Sequence, residues 1–195
     1  MKQIPVETSA RHIHLTREDI NALFGRDYQL TNIKDLSQPG MFASKEKVAV
    51  INPKDKTQKI DNIRIVGPAR NYTQLEVSFS DARKLGIKPE IRTSGNIKDT
   101  SSFKIIGPKG SVLKKEGLIA AKRHIHMTGQ DAENLGVQNG EVVKIKVGEK
   151  GKRSLIFNDV KVRVSDNYKL TCHLDTDEAN AAGISPKAHC EIIKF

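Results

Sequence analysis

The sequence predicts a mainly β protein, in which an internal duplication gives two small β-barrel domains that pack together and are capped by short α-helices. One observation behind this fold class is a repeat: Arg-His-Ile-His occurs at residues 11–14 and again at 123–126, 112 positions later. Another is that each half contains several short, β-branched runs separated by turn residues, a pattern typical of small barrels. Because each half alone would bury a modest core, we expect the two to pack closely.

Each half begins with a strand that carries the His-x-His pair and leads into a short helix. Thr16 and Thr128 are the predicted N-caps of these helices, and each is followed three positions later by an acidic residue. A glycine near the end of each run, Gly25 and Gly136, predicts where the helix stops.

Alternating runs then predict one antiparallel hairpin in each half. The paired runs are 47–51 with 60–66 in the first half, and 141–147 with 154–164 in the second, where 148–151 is the predicted turn. These hairpins supply most of the strands expected in each barrel.

A strand and a short helix close each half, where residues 75–87 align with 172–184 at an offset of 97. The unmatched stretch 94–117, with a turn between short strands, is the expected junction. The predicted domains are a first barrel over 9–118 and a second barrel over 119–195, and the assignment of residues 1–8 is left open.

Composition and charge exclude several classes of protein. The 195 residues are 37% apolar and 29% charged, too apolar for wholesale disorder, and no apolar run approaches the roughly 18 residues of a membrane-spanning helix. The net charge of +10 comes from scattered Lys and Arg, without the interleaved aromatic residues of a nucleic-acid interface. It fits a solvated surface or attraction of a small polyanion, so we expect neither nucleic acid nor membrane as a partner. Two cysteines and a start without an apolar signal region favour the cytoplasm.

The repeated histidines are candidate metal ligands. Four of the six histidines form the two His-x-His pairs: His12, His14, His124 and His126. Alternate side chains of a strand lie on one face, so each pair can offer two ligands to one metal ion. The alignment adds a third ligand to each pair, Glu76 in the first half and His173 in the second. Three protein ligands with an open position are typical of catalytic zinc sites; the alternative is a set of repeated core or strand-surface histidines.

Arginines near these sets have a functional and a structural interpretation. Arg70 follows a Gly-Pro turn six residues before Glu76, where it either holds a phosphate bidentately or is an exposed charge. Arg64 aligns with Lys161, so a cation recurs on that strand. Cys172 should point away from the face of His173 and into a core. The sequence contains neither a nucleotide-type phosphate loop nor a Gly-x-Ser-x-Gly elbow, so no serine nucleophile is expected.

With these residues in place, the chain resembles the propanediol-utilisation family of phosphate acyltransferases, the phosphate propanoyltransferases, over nearly its whole length. Residues 9–16 read Ser-Ala-Arg-His-Ile-His-Leu-Thr and residues 173–180 read His-Leu-Asp-Thr-Asp-Glu-Ala-Asn. The other motifs that carry the resemblance, in order along the chain, are 65–70, 92–95, 106–111 and 123–128.

The resemblance implies transfer of a short acyl group, such as propanoyl or acetyl, between coenzyme A and inorganic phosphate. It also implies two barrels with a two-zinc site at their interface, and a first strand, within residues 1–8, that can pair with the second barrel. One zinc would take His12, His14 and Glu76, and the other His124, His126 and His173. Arg70 would hold the phosphate. Residues matching coenzyme A contacts are Ser9, Arg64, Asn180 and His173.

Direct attack of phosphate on the thioester needs no acyl-enzyme, which agrees with the missing serine elbow. Two alternatives remain open at this point: a two-metal thioester hydrolase, and a non-catalytic zinc-containing module that binds anions. Eleven residues precede His12 and read as a strand, whereas encapsulated relatives carry an amphipathic extension; this favours a free cytoplasmic enzyme over one inside a microcompartment. The sequence leaves open the acyl chain and the choice between monomer, homodimer and higher homo-oligomer.

Overall fold

The computed structural model describes residues 3–148, 152–184 and 187–193. Among these residues it confirms the mainly β class, with four short helices. The elements in chain order are β1 (Ile4–Ser9), β2 (His12–His14), α1 (Arg17–Phe24), β3 (Asn32–Asp35), β4 (Phe42–Ile51), β5 (Lys59–Gly67), β6 (Gln74–Glu76), α2 (Phe79–Leu85), β7 (Glu90–Arg92), β8 (Ser101–Ile106), β9 (Ser111–Ala121), β10 (His124–Met127), α3 (Gly129–Leu135), β11 (Val142–Val147), β12 (Leu155–Val164), β13 (Thr171–Asp175), α4 (Thr176–Ala181) and β14 (His189–Ile193).

The chain divides into two compact units. We call residues 10–36 and 40–121 the first barrel, and residues 1–9, 37–39 and 122–195 the second barrel. The division after residue 121 falls three residues beyond the predicted boundary, at the end of β9.

Each unit contains a closed ring of six strands, as the sequence predicted. In the second barrel the ring runs β1-β13-β10-β12-β11-β14 and closes where β14 pairs with β1. In the first barrel it runs β4-β5-β2-β6-β9-β8 and closes where β8 pairs with β4. Two further strands extend the first ring at its edges, β3 on β4 and β7 on β9.

The strand ahead of each His-x-His pair belongs to the other barrel. β1 precedes β2 in sequence but lies parallel to β13 of the second barrel, and β9 precedes β10 but lies parallel to β6 of the first barrel. The sequence had suggested that the stretch 94–117 is a junction between the two domains, and this prediction is wrong. The stretch contributes β8 and most of β9, because the four strands of the repeat need two more to close a ring.

The two predicted hairpins are confirmed. β4 and β5 pair antiparallel, with Val48 opposite Ile63, and β11 and β12 do the same, with Val143 opposite Val160. Of the predicted second turn, residues 149–151 lie outside the described residues.

The predicted N-caps are also confirmed, and each of these two helices ends at its predicted glycine. Thr16 accepts a hydrogen bond from the Asp19 N–H at 3.1 Å, and Thr128 does the same within a complete capping box. The Asp19 carboxylate does not complete a capping box with the backbone of Thr16. It accepts instead from the Thr73 hydroxyl and, at 3.0 Å, from Lys114, which fastens α1 to β9.

Each barrel has its own apolar core, and this decides where the histidines point. Ile13 and Ile125, the middle residues of the two His-x-His runs, are fully buried in their respective cores. Because side chains alternate along a strand, the flanking histidines lie on the outer surface of each barrel. In the described part of the chain no helix is long and apolar enough to span a membrane.

Candidate functional site

The first barrel brings together the three predicted ligands His12, His14 and Glu76. Strand β2 lies between β5 and β6, and in the antiparallel β2–β6 pair His12 is directly opposite Glu76. The Nε2 atom of His12 is 3.7 Å from Oε2 of Glu76. The imidazole centroids of His12 and His14 are 4.9 Å apart. One ligand atom from each residue lies within 4.8 Å of the other two.

Backbone carbonyls orient both histidines of this set. The Nδ1 atom of His12 is 2.9 Å from the carbonyl oxygen of Ala10, and Nδ1 of His14 is 3.1 Å from that of Val66. An N–H at Nδ1 leaves the Nε2 lone pair free for a metal, the usual arrangement of a metal-binding histidine. Burial lowers the pKa of His14 well below its ordinary value, and the nearby His12 lowers it further. His14 is therefore neutral, which is the form that binds metals.

Gln74 orients the carboxylate of Glu76. Its Nε2 atom donates to Oε1 of Glu76 at 2.6 Å and lies 2.8 Å from the Ser94 hydroxyl, while its Oε1 accepts from the Gly95 N–H at 2.7 Å. Gln74 is completely buried and fixed at both ends. One oxygen of Glu76 is thus held by Gln74, and the other faces His12.

The second barrel assembles His124, His126 and His173 in the same way. In the antiparallel β10–β13 pair His124 is directly opposite His173, as His12 is opposite Glu76 in the first barrel. The imidazole centroids are separated by 4.6 Å for His124–His126 and by 5.0 Å for both pairs that include His173. This set also has one ligand atom per residue within a 4.8 Å span.

The surroundings of the second set are made mainly by side chains. The carbonyl oxygen of Lys122 is 2.8 Å from Nδ1 of His124, which repeats the first barrel. The Glu7 carboxylate, which accepts a hydrogen bond from Ser37, is 3.8 Å from Nδ1 of His173. His126 has no such contact through its nitrogens; its ring stacks on Tyr168, with centroids 4.1 Å apart and an interplanar angle of 26°.

His126 is the clearest sign that the second set is suited to a metal ion. Both of its ring nitrogens are buried and make no hydrogen bond to any described residue. Burial lowers the pKa of His126 to about 2, so the ring is neutral. A buried polar group without a partner is costly, and a metal ion in the set would satisfy one of these nitrogens. The nitrogen and carboxylate donors of both sets suit zinc or a similar divalent ion.

Arg70 lies at the first set. Its backbone N–H donates to the carbonyl oxygen of Leu15 at 2.9 Å, which holds the loop after β5 against the segment after His14. The guanidinium donates to the Tyr72 hydroxyl at 3.2 Å and contributes to lowering the pKa of His14. Arg70 is half-buried, so its charge faces the histidines from a partly desolvated position.

The remaining predicted substrate residues divide between the two barrels. Arg64 is the strand partner of His12, but its guanidinium donates to the carbonyl oxygen of Ser44 at 2.8 Å. Ser9 is in the second barrel, on β1, whose partner strand β13 carries His173. Asn180 is exposed on α4, the helix that follows that strand. Ser9, His173 and Asn180 thus all belong to the second barrel, while Arg64 and Arg70 belong to the first.

Comparison with known families decides which group of proteins this arrangement belongs to. The profile of the phosphate propanoyltransferases matches residues 5–185. The chain belongs to the phosphate propanoyltransferase family. The family membership and the enzyme class predicted from the sequence are therefore confirmed.

Relatives that carry the family name match nearly the whole chain. A Thermotoga maritima protein named phosphate propanoyltransferase is 47% identical over 192 residues, which make up 98% of this chain and 90% of the relative. Proteins of the same name from Clostridioides difficile and Priestia megaterium are 49% and 51% identical, over 98% and 93% of this chain and 89% and 82% of their own lengths.

Three residues that contact the two candidate ligand sets were not identified from the sequence. Gln74 could have been found, because it precedes Glu76 by two positions and so shares its face of β6. Glu7 and Tyr168 gave no such signal. Glu7 reaches His173 through a strand pairing between distant parts of the chain, and Tyr168 reaches His126 from the loop before β13.

Proposed function

We propose that the chain transfers a short acyl group between coenzyme A and inorganic phosphate, with one zinc ion at each of the two ligand sets and without an acyl-enzyme. The observation that carries this proposal is the double ligand arrangement: three donors on matching strands in each barrel, with the first set next to a guanidinium. The names of the family and of the relatives supply the class of reaction.

The residues present fit such ions. His12, His14 and Glu76 would hold one ion, and His124, His126 and His173 the other. His14 and His126 are neutral because they are buried. The Nδ1 atoms of His12 and His124 each contact a carbonyl oxygen, which directs Nε2 outward. A bound divalent ion supplies positive charge that neutralises phosphate and stabilises negative charge on a carbonyl oxygen or a departing thiolate.

The chain's own contribution at the first set is to bind and orient phosphate. The Arg70 guanidinium offers a planar fork of N–H donors that matches two phosphate oxygens, and Tyr72 fixes its position. A phosphate held in this way can attack the thioester carbonyl in a step that is effectively unimolecular. A carbon–oxygen bond forms, the carbon–sulfur bond breaks, and coenzyme A leaves as its thiolate, which gives the acyl phosphate.

The placement of the cysteines supports a route without an acyl-enzyme. Cys172 and Cys190 are both free and both buried in the core of the second barrel. A hydrogen bond with Cys190, together with burial, raises the pKa of Cys172 well above its ordinary value, which disfavours the nucleophilic thiolate. Two buried free thiols also support the cytoplasm as the compartment of this activity.

The decisive experiment measures both products. Metal-loaded protein is mixed with acetyl-CoA or propanoyl-CoA, with and without inorganic phosphate, and free thiol and acyl phosphate are quantified. We expect the two products in equal amounts, only when phosphate is present, and no turnover after chelation. Thiol release that is independent of phosphate would instead show a thioester hydrolase, and binding without turnover would show a non-catalytic module.

A further inference from the structure

Arg163 stands beside the second ligand set, and no role follows for it from the sequence. It lies on β12 as the strand partner of His126 on β10, so the two side chains share the outer face of the second barrel. Its Nη2 atom donates to the Tyr168 hydroxyl at 3.2 Å, and its guanidinium carbon is 5.7 Å from the centre of that ring. Tyr168 in turn stacks on His126.

The first barrel contains a similar arginine–tyrosine pair, formed by different residues. Arg70 donates to the Tyr72 hydroxyl at 3.2 Å, with its guanidinium carbon 5.8 Å from the ring centre. The internal alignment does not pair these arginines, because at the offset of 97 Arg163 falls on Val66 and Arg70 falls on Asn167. Two positions that the alignment does not match therefore supply an arginine–tyrosine pair near each ligand set. A similar task at the two sets would account for this likeness, because the alignment does not derive the two arginines from one ancestral position.

The charges around the two sets match as well. The first set has one carboxylate, Glu76, and one guanidinium, Arg70, while the second has the Glu7 carboxylate near His173 and the Arg163 guanidinium near His126. Arg64 and Lys161, the strand partners of His12 and His124, add one positive charge to each set. With a divalent ion bound, each set would carry excess positive charge, and an anion is the ligand that such a site favours.

We propose that Arg163, positioned by Tyr168, is a second anion-binding arginine, which holds a phosphoryl group of the substrates at the His124–His126–His173 set. This inference rests on the proposed function for the identity of its ligand. The ligand chemistry is a phosphoryl oxyanion, supplied either by inorganic phosphate or by a phosphate of coenzyme A. The guanidinium offers two parallel donors to such a group, and the Tyr168 hydroxyl keeps the fork from turning away.

Binding measurements on metal-loaded protein test this role without relying on turnover. Inorganic phosphate and coenzyme A are titrated separately by calorimetry into the wild type, Arg163→Gln, Arg163→Lys and Tyr168→Phe, after the metal content of each protein has been measured. Lys146→Gln is the matched control, because it removes one exposed positive charge from β11 of the same barrel.

We expect Arg163→Gln to weaken at least one of the two ligands by about tenfold or more, as loss of a charge-assisted bidentate contact does. Arg163→Lys should recover part of that loss, Tyr168→Phe should show a smaller loss, and Lys146→Gln should match the wild type. An effect confined to phosphate or to coenzyme A identifies the source of the phosphoryl group. Unchanged affinity for both ligands, or loss of metal in Arg163→Gln, overturns the proposal. Because turnover is not measured, failure of the proposed transfer reaction would not be confused with failure of this site.

Discussion

Arg11 donates to the carboxylate of Asp81 at 2.9 Å, which joins the residue before His12 to the helix that follows Glu76. The second barrel repeats the connection: Arg123, which precedes His124, donates through Nε to Glu178 of the helix that follows His173. In each barrel one ion pair therefore ties the strand that carries two ligands to the segment that follows the third. The duplication has preserved this brace as well as the ligands themselves.

Replacing Arg123 with alanine should destabilise the protein. Glu178 is partly buried, and it also completes the capping box of α4 by accepting from the Asp175 N–H at 2.9 Å. Losing the charged donor should lower the free energy of unfolding in urea by about 1–2 kcal/mol. Arg26→Ala is the control, since Arg26 and Asp27 form an exposed pair whose loss should cost under about 0.5 kcal/mol. Equal stability of the two variants would show that the brace contributes nothing.

Replacing Arg70 with glutamine should impair the use of phosphate selectively. The substitution removes the charge and the donor fork but keeps a polar side chain of similar reach. The KM for phosphate should rise by about tenfold or more, while the KM for acyl-CoA and the melting temperature change little. Steady-state kinetics with each substrate varied in turn measures this difference. An unchanged phosphate KM would remove Arg70 from its assigned role.

Replacing Gln74 with methionine should loosen the first metal site alone. Methionine fills the buried space but cannot donate to Glu76, so the carboxylate loses the contact that fixes its orientation. Outer contacts of this kind are worth roughly 10–100-fold in metal affinity, so the first site should weaken by that factor and the second should not. Competition with a chromophoric chelator reports both affinities.

Gln38→Met is the matched control for this measurement. Gln38 is also a buried glutamine, but its side-chain hydrogen bonds go to the backbone of Lys169 rather than to a residue of either ligand set. Equal metal loss in the two glutamine variants would mean that the effect of Gln74 is one of general stability.

Replacing Cys172 with alanine should leave most of the turnover intact. Its thiol is fully buried in the core of the second barrel, and its pKa is raised, so it is placed neither to meet a thioester nor to ionise. Single-turnover kinetics should show no burst of thiol release before acyl phosphate forms. A fall in kcat of about a thousandfold or more, as expected for removal of a nucleophile, would establish a covalent route.

The two clusters of candidate ligands could be located from the sequence because the duplication indicates each of them twice. His-x-His recurs in the same context, and the closing match places Glu76 against His173, so one alignment proposes both sets. The structure gives the reason: Glu76 is the direct strand partner of His12, and His173 is the direct strand partner of His124.

The exchange of strands could not be predicted from local patterns, and for β1 only the family resemblance indicated pairing with the second barrel. β1 and β9 each pair with strands that local patterns do not indicate, since pairing between distant segments depends on how the whole ring closes. The likeness of Arg163 to Arg70 was hidden for a related reason. An alignment compares positions, whereas one of these arginines approaches its histidine set from a strand and the other from a loop.

The metal content of the purified protein and of two single variants tests the central claim most directly. If each barrel holds one ion through its own three ligands, the wild type should contain about two equivalents of zinc per chain, and His14→Ala and His126→Ala about one each. A wild-type protein without any transition metal, or single variants that keep both equivalents, would contradict the account.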